Sequence, residues 1–139
     1  MSAQLKIKVH KHCLNILDQK IAAGKKAMDQ FQEAANSETK STAGDKHETS
    51  RAMMQADREK AAMQLSNSHK MKPLLDKLKP EISSESIALG SLVNTDLGLI
   101  YIAVPLGGID VDQEHIMVVS AVAPIGHAML GKAEGDAFT

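Results

Sequence analysis

The chain has 139 residues, 43% of them hydrophobic, and a formal net charge of -1; this is room for one ordinary domain, or for one small domain plus an extended element. Its aromatics are Phe31, Tyr101 and Phe138 alone, which argues against a base-stacking platform and an aromatic-lined substrate pocket. Cys13 is the single cysteine and can close no internal disulfide, there is no apolar signal core at the N-terminus, and no apolar run reaches membrane-spanning length, so the expected location is cytoplasmic.

The first predicted element is a helix over about 5–38. Leu14, Ile21, Met28 and Ala35 recur every seven residues, and His10, Leu17, Gly24 and Phe31 form the companion series. This is an a/d-type seam, imperfect because His10 and Gly24 occupy core-like places. A break follows at 36–44, where small polar residues compete for backbone hydrogen bonds. Asp45 then reads as an N-cap with Glu48 three residues on, the capping-box spacing. The second predicted helix runs over about 46–79, with a thinner stripe of Met54, Ala61, Leu65, Ser68, Met71, Leu75 and Leu78. Pro73 falls late in it, where a kink is expected. Two matched helices with a short connection predict an antiparallel coiled-coil hairpin over 1–79. Its tip lies near 44–48, and it is too long to be covered by the remainder of the chain.

Residues 80–86 read as a linker, and 87–139 as a small β-rich domain. Strands are predicted at Ile87–Val93, Leu97–Val104 and His115–Ser120, with turns at Asn94-Thr95-Asp96 and Pro105-Leu106-Gly107-Gly108. A short helix follows at Pro124–Leu130, with Pro in its first turn and Gly131 as its stop. Charge divides the same way. Residues 1–79 carry 15 Lys/Arg against 9 Asp/Glu, and residues 80–139 carry Lys132 against 8 acids. A basic half and an acidic half fit modules facing different surfaces.

Two motifs give these elements a family resemblance. Gly44-Asp45-Lys46-His47-Glu48 resembles the acidic coiled-coil tip, Gly-Asp-x-x-Glu, of the GreA/GreB transcript cleavage factors of bacterial RNA polymerase. Pro124-Ile125-Gly126-His127-Ala128-Met129-Leu130-Gly131-Lys132-Ala133-Glu134-Gly135-Asp136 is similar to that family's C-terminal signature. Leu89-Gly90-Ser91-Leu92-Val93 is a weaker third match, to the Gly-Ser-x-Val that opens the family's sheet. The order of the motifs agrees with the hairpin-then-sheet layout.

The resemblance implies an α+β protein with an immunophilin-like (FKBP-like) C-terminal domain docked at the rim of the polymerase secondary channel. The hairpin enters the channel as part of a monomer. Its tip acids, Asp45 and Glu48, would help hold an Mg²⁺ ion and a water beside the polymerase's own aspartates. The polymerase then cleaves the 3′ end of backtracked nascent RNA. Carboxylates suit that place because they are hard oxygen ligands for Mg²⁺ and can orient the attacking water. The protein would be an accessory factor for the polymerase's nuclease rather than an enzyme in itself. Pro124, Ile125, Ala128, Leu130, Gly131, Lys132, Gly135 and Asp136 carry the C-terminal signature and are the expected partner-binding residues.

The sequence departs from the family in two places. Thr49-Ser50-Arg51-Ala52 stands where the family tip commonly continues Asn-Ala-Glu-Tyr, so a third acid and an aromatic are missing and Arg51 adds the opposite charge. The chain also ends soon after Gly135-Asp136, where the family adds one more strand. The expectation is a sheet without that strand, or a shortened form of the protein.

Plainer readings stand beside these. Asp45 and Glu48 serve equally as a capping box, contributing about 1 kcal/mol to the second helix. His47 makes a poor Mg²⁺ ligand, and solvent exposure is the expectation. His10, His12 and Cys13 lack partners at zinc-ligand spacing and read as incidental helix surface. The lysines of 1–79 read either as solvated surface or as a track for RNA phosphates. Three other functions are open to this sequence: a channel-binding regulator without cleavage activity, a coiled-coil interaction protein dimerising through its Met/Leu seam, and a prolyl isomerase, the last disfavoured by the lack of aromatics in 87–139.

Overall fold

The computed structural model describes residues 3–38 and 45–137, and for residues 3, 37, 38 and 45–49 the backbone alone. The elements are α1 (Ala3–Glu38), α2 (Asp45–Lys77), β1 (Leu92–Thr95), β2 (Gly98–Ala103), β3 (Gly107–Val111), β4 (Glu114–Ser120) and α3 (Pro124–Met129). The class is therefore α+β, with two long helices, a four-stranded mixed sheet and one short helix.

The helices lie within about two residues of where the heptad spacing puts them. α2 runs through Pro73, which is exposed. The proline removes one backbone hydrogen bond near the helix end, and the helix continues to Lys77.

Two compact units divide the chain, and the division cuts both helices. One unit holds Met1–Asn15 with Met71–Thr139, and the other holds Ile16–Lys70. The first turns of α1 and the last turns of α2 thus belong with the sheet rather than with the rest of the helices. Within 16–70, Leu17 and Ser68 are buried, and Ile21, Gly24, Met28, Phe31, Ala61 and Leu65 are half-buried. A Cβ at Gly24 would lie 2.9 Å from Leu65 Cδ1, so Gly24 is where α1 and α2 approach each other closely. The buried Ser68 hydroxyl donates to the Gln64 carbonyl 3.1 Å away.

In the other unit the sheet order is β1-β2-β4-β3. β1 and β2 pair antiparallel, β2 and β4 parallel, and β3 and β4 antiparallel. Parallel neighbours need a crossover, and here β3 supplies it by passing to the far side of β4. β2 is buried from Ile100 to Ala103, the mark of a strand covered on both faces. Ile100 and Ile102 join Met129 of α3 in one apolar cluster, with Ile87, Val93, Val119, Ala121, Ile125 and Leu130 around it. Tyr101 points to the opposite face by strand alternation. Its register partner Val118 and the buried Ile109, Val111 and Ile116 continue that layer.

The strands differ from expectation in two places. Gly107 and Gly108, whose composition predicts a turn, open β3 instead, because the segment to Val111 pairs with β4. β1 begins at Leu92 rather than Ile87. Gly90, at φ +92°, donates to the Ile102 carbonyl, and Ile102 donates to Ser91. Two residues therefore face one, as in a β-bulge, and the chain before Gly90 is diverted so that Ile87 bonds to Lys132 and Gly131 instead.

The β3–β4 hairpin turns on Asp112 (φ +51°) and Gln113 (φ +67°). Both central residues are left-handed, as a type I′ turn requires. Glutamine has no ready access to that region, which costs a side-chain-bearing residue about 1–2 kcal/mol. Gln113→Gly is therefore expected to stabilise the protein by about 1 kcal/mol after its own entropy cost, read as a higher denaturant midpoint with unchanged slope.

Candidate functional site

α2 begins at Asp45, so along the backbone Asp45 and Glu48 are the first and fourth residues of the helix, one turn apart. Residue 44 lies outside the described residues, as do the side chains of 45–49. The capping contacts expected of Asp45 and Glu48, and the exposure expected of His47, fall there too. Among the described residues no three His, Cys, Asp or Glu side chains gather to hold a metal ion. The donor chemistry of Asp45 and Glu48 fits a hard cation as two carboxylates of a larger set.

Much of the C-terminal motif is built into the fold. Pro124 opens α3 at its first turn and is exposed, while Ile125 and Leu130 pack on the sheet cluster and Ala128 is half-buried. Gly126 is buried and passes directly over the Ser120 carbonyl. Gly131, at φ +81°, ends the helix, and its N–H donates to the Ile87 carbonyl at 2.8 Å. The Lys132 carbonyl accepts from Ile87 N–H at 2.7 Å. Asp136 Oδ2 accepts from Ala133 N–H at 2.8 Å, closing a turn in which Gly135 adopts φ +88°. The motif thus clips the segment before β1 to the segment after α3. The positions it leaves to solvent are Pro124, His127, Gly131 and residues 133–136.

A second cluster joins α1 to the sheet. His10 Nδ1 lies 2.8 Å from the Tyr101 hydroxyl, with the rings edge-on at 6.2 Å between centroids. His10 is 6% exposed, and Cys13 and Tyr101 are fully buried. The expectation of an incidental helix surface therefore fails for His10 and Cys13. The signal was present in the sequence: His10 belongs to the companion series, and Cys13 follows it by one turn. Burial pushes the Cys13 thiol up to about 12, which leaves it protonated and unreactive. Burial also raises the Tyr101 phenol, with Cys13 adding to the effect. The His10 imidazole is held below its ordinary 6.5 by burial, against the pull of Asp76 and Glu81.

Polar contacts flank this cluster. Lys6 Nζ donates to the Ile82 carbonyl at 2.7 Å, and Lys8 Nζ pairs with Asp112 at 2.8 Å. On the exposed hairpin, His115 Nδ1 meets Asp110 at 2.9 Å, and the imidazole lies over Gly108. Among the described residues no helix is long and apolar enough to cross a membrane. No family model, no curated protein and no solved structure matches this chain.

Proposed function

We propose that this chain is a secondary-channel factor of bacterial RNA polymerase, of the GreA/GreB type, that stimulates the polymerase's own cleavage of backtracked nascent RNA. One observation carries the reading: the acidic Gly44-Asp45-Lys46-His47-Glu48 stands where α1 gives way to α2, and the thirteen-residue signature 124–136 stands on the short helix behind a small sheet. Either motif alone is short. Together, in this order on an α+β chain, they fit a device that carries two carboxylates at the start of its second long helix.

Several features support a hairpin. α1 has 36 residues and α2 has 33, each about 50 Å long at 1.5 Å per residue. The start of α1 and the end of α2 share one unit, while Gly24 meets Leu65 in the other, the pairing that an antiparallel coiled coil requires. The sheet and α3 would be the immunophilin-like docking domain, and the acidic charge of 80–139 suits a basic rim on the polymerase. In that complex Asp45 and Glu48 would share an Mg²⁺ ion with the polymerase. The protein would act as a cytoplasmic monomer.

The test is RNA cleavage in a stalled, backtracked polymerase complex with and without the protein. Faster shortening of the RNA 3′ end is the expected result. No acceleration across a range of Mg²⁺ concentrations would overturn it. One observation favours a second reading, a channel-binding regulator without cleavage: Thr49-Ser50-Arg51 offers no third acid and introduces a cation beside the tip. Binding to the polymerase without cleavage would select that reading. A dimeric mass in solution would favour a coiled-coil interaction protein instead.

A further inference from the structure

His10 and Tyr101 lie 91 residues apart in sequence and make the buried side-chain hydrogen bond that ties α1 to β2. Among the described residues His10 is the only side-chain hydrogen-bond partner of the Tyr101 hydroxyl. A fully buried phenol needs an acceptor for its proton. The geometry therefore assigns the Tyr101 O–H as donor and His10 Nδ1 as acceptor, with the histidine neutral and its proton on Nε2.

We propose that this pair is a proton-operated latch on the base of the helices, closed while His10 is neutral and loosened when His10 takes a second proton. Protonation puts a hydrogen on Nδ1, and the acceptor becomes a donor. The tyrosine proton must then turn away from the only side chain that accepts it. It turns into a buried setting, where an unmet donor is costly. The imidazolium itself must be held at a site 6% exposed, where a charge is poorly solvated.

The surrounding groups determine how far this goes. Asp76 of α2 and Glu81 beyond it draw a proton toward His10. Lys6 stands one turn earlier on α1, its ammonium bonded to the Ile82 carbonyl. Tyr101 of β2 and Cys13 of α1 are neutral, since burial raises both. Burial outweighs the two carboxylates, and His10 titrates below its ordinary value. The unfolded chain takes this proton near 6.5 and the native state only at lower pH, so between those values the unfolded state binds more protons. The latch is fully present above pH 6.5 and is lost as pH falls through the native value. The exposed ties at Lys6 and Lys8 involve no histidine, so the loosening is confined to the α1–β2 contact. A glutamine would fill similar space and accept the same hydroxyl without titrating; histidine makes the contact answer to one proton.

The test uses the full chain. The His10 ring is titrated by NMR, and amide hydrogen exchange over 4–15 and 99–103 is compared at about pH 7 and about pH 5, corrected for intrinsic rates. The expected midpoint lies below 6.5, with exchange rising about tenfold in those segments at the lower pH. In His10→Gln the rise should vanish, while the exposed His115 and His127 remain as internal controls. A midpoint at or above 6.5, or an equal rise in wild type and His10→Gln, overturns the latch. If His10→Gln fails to fold, the wild-type data alone decide, and a flat exchange profile rejects the proposal.

Discussion

Replacing Asp45 by Asn, or Glu48 by Gln, is expected to abolish stimulated RNA cleavage while leaving polymerase binding nearly intact. The amides keep the size of the carboxylates and part of their capping ability, but lose the charge that attracts Mg²⁺. Hard-cation sites rely on that charge, so the loss should reach about a hundredfold or more, of the order seen when one electrostatic element of a site is removed. A purely structural capping box predicts a different pattern. Each substitution would then lower stability by about 1 kcal/mol or less, and cleavage would fall only in step with folding. Thermal unfolding and cleavage measured on the same variants separate the two. The charge reversal Arg51→Glu restores an acid at the family's third position and is expected to raise cleavage. If wild type binds polymerase and does not cleave, Arg51→Glu shows whether that residue is the cause.

Gly126→Ala is expected to be the most damaging single-methyl change in the sheet unit. The added Cβ would fall on the Ser120 carbonyl oxygen, with the Ser120 carbonyl carbon 3.2 Å away and Ala121 Cα 3.5 Å away. These are backbone atoms and cannot swing aside. Relief requires α3 to lift, and Met129 on α3 is fully buried against Ile100 and Ile102. Overpacking of this kind costs about 3 kcal/mol or more when the backbone must move. Gly24→Ala is the control. There the new methyl meets Leu65 Cδ1 at 2.9 Å, the end of a flexible side chain, and Leu65 Cβ at 3.2 Å, which a shift of a few tenths of an ångström relieves, while alanine gains about 1 kcal/mol over glycine inside a helix. The two effects nearly offset, so the Gly24→Ala midpoint should stay close to wild type. Equal destabilisation by both variants, measured in denaturant, would reject this account of α3.

The sites were legible to different depths. The Pro124–Asp136 signature was expected to bind a partner. In the structure its Ile125, Leu130, Gly131, Lys132 and Asp136 hold α3 and the chain ends of the sheet in place. A motif cannot announce that structural role, because Ile87, the residue clipped by Gly131 and Lys132, is over forty positions away. The start of α2 near Asp45 was legible, since start signals are local; the capping contacts themselves lie outside the described residues. His10 was visible as a misfit in an apolar series, but Tyr101 was not visible as its partner.

The sequence by itself determined the two long helices, strands β2 and β4, and the glycine that ends α3. Each is encoded within a few residues, by a period of 3.6, a run of β-branched residues or a turn former. Tertiary structure decided the rest. It turned Gly107-Gly108 into an edge strand, set β4 between β2 and β3, and placed a bulge at Gly90. It also assigned the ends of both helices to the unit that holds the sheet. These features rest on pairings across long stretches of chain, whose loop-closure cost is repaid only when many contacts form together, and no local pattern records them.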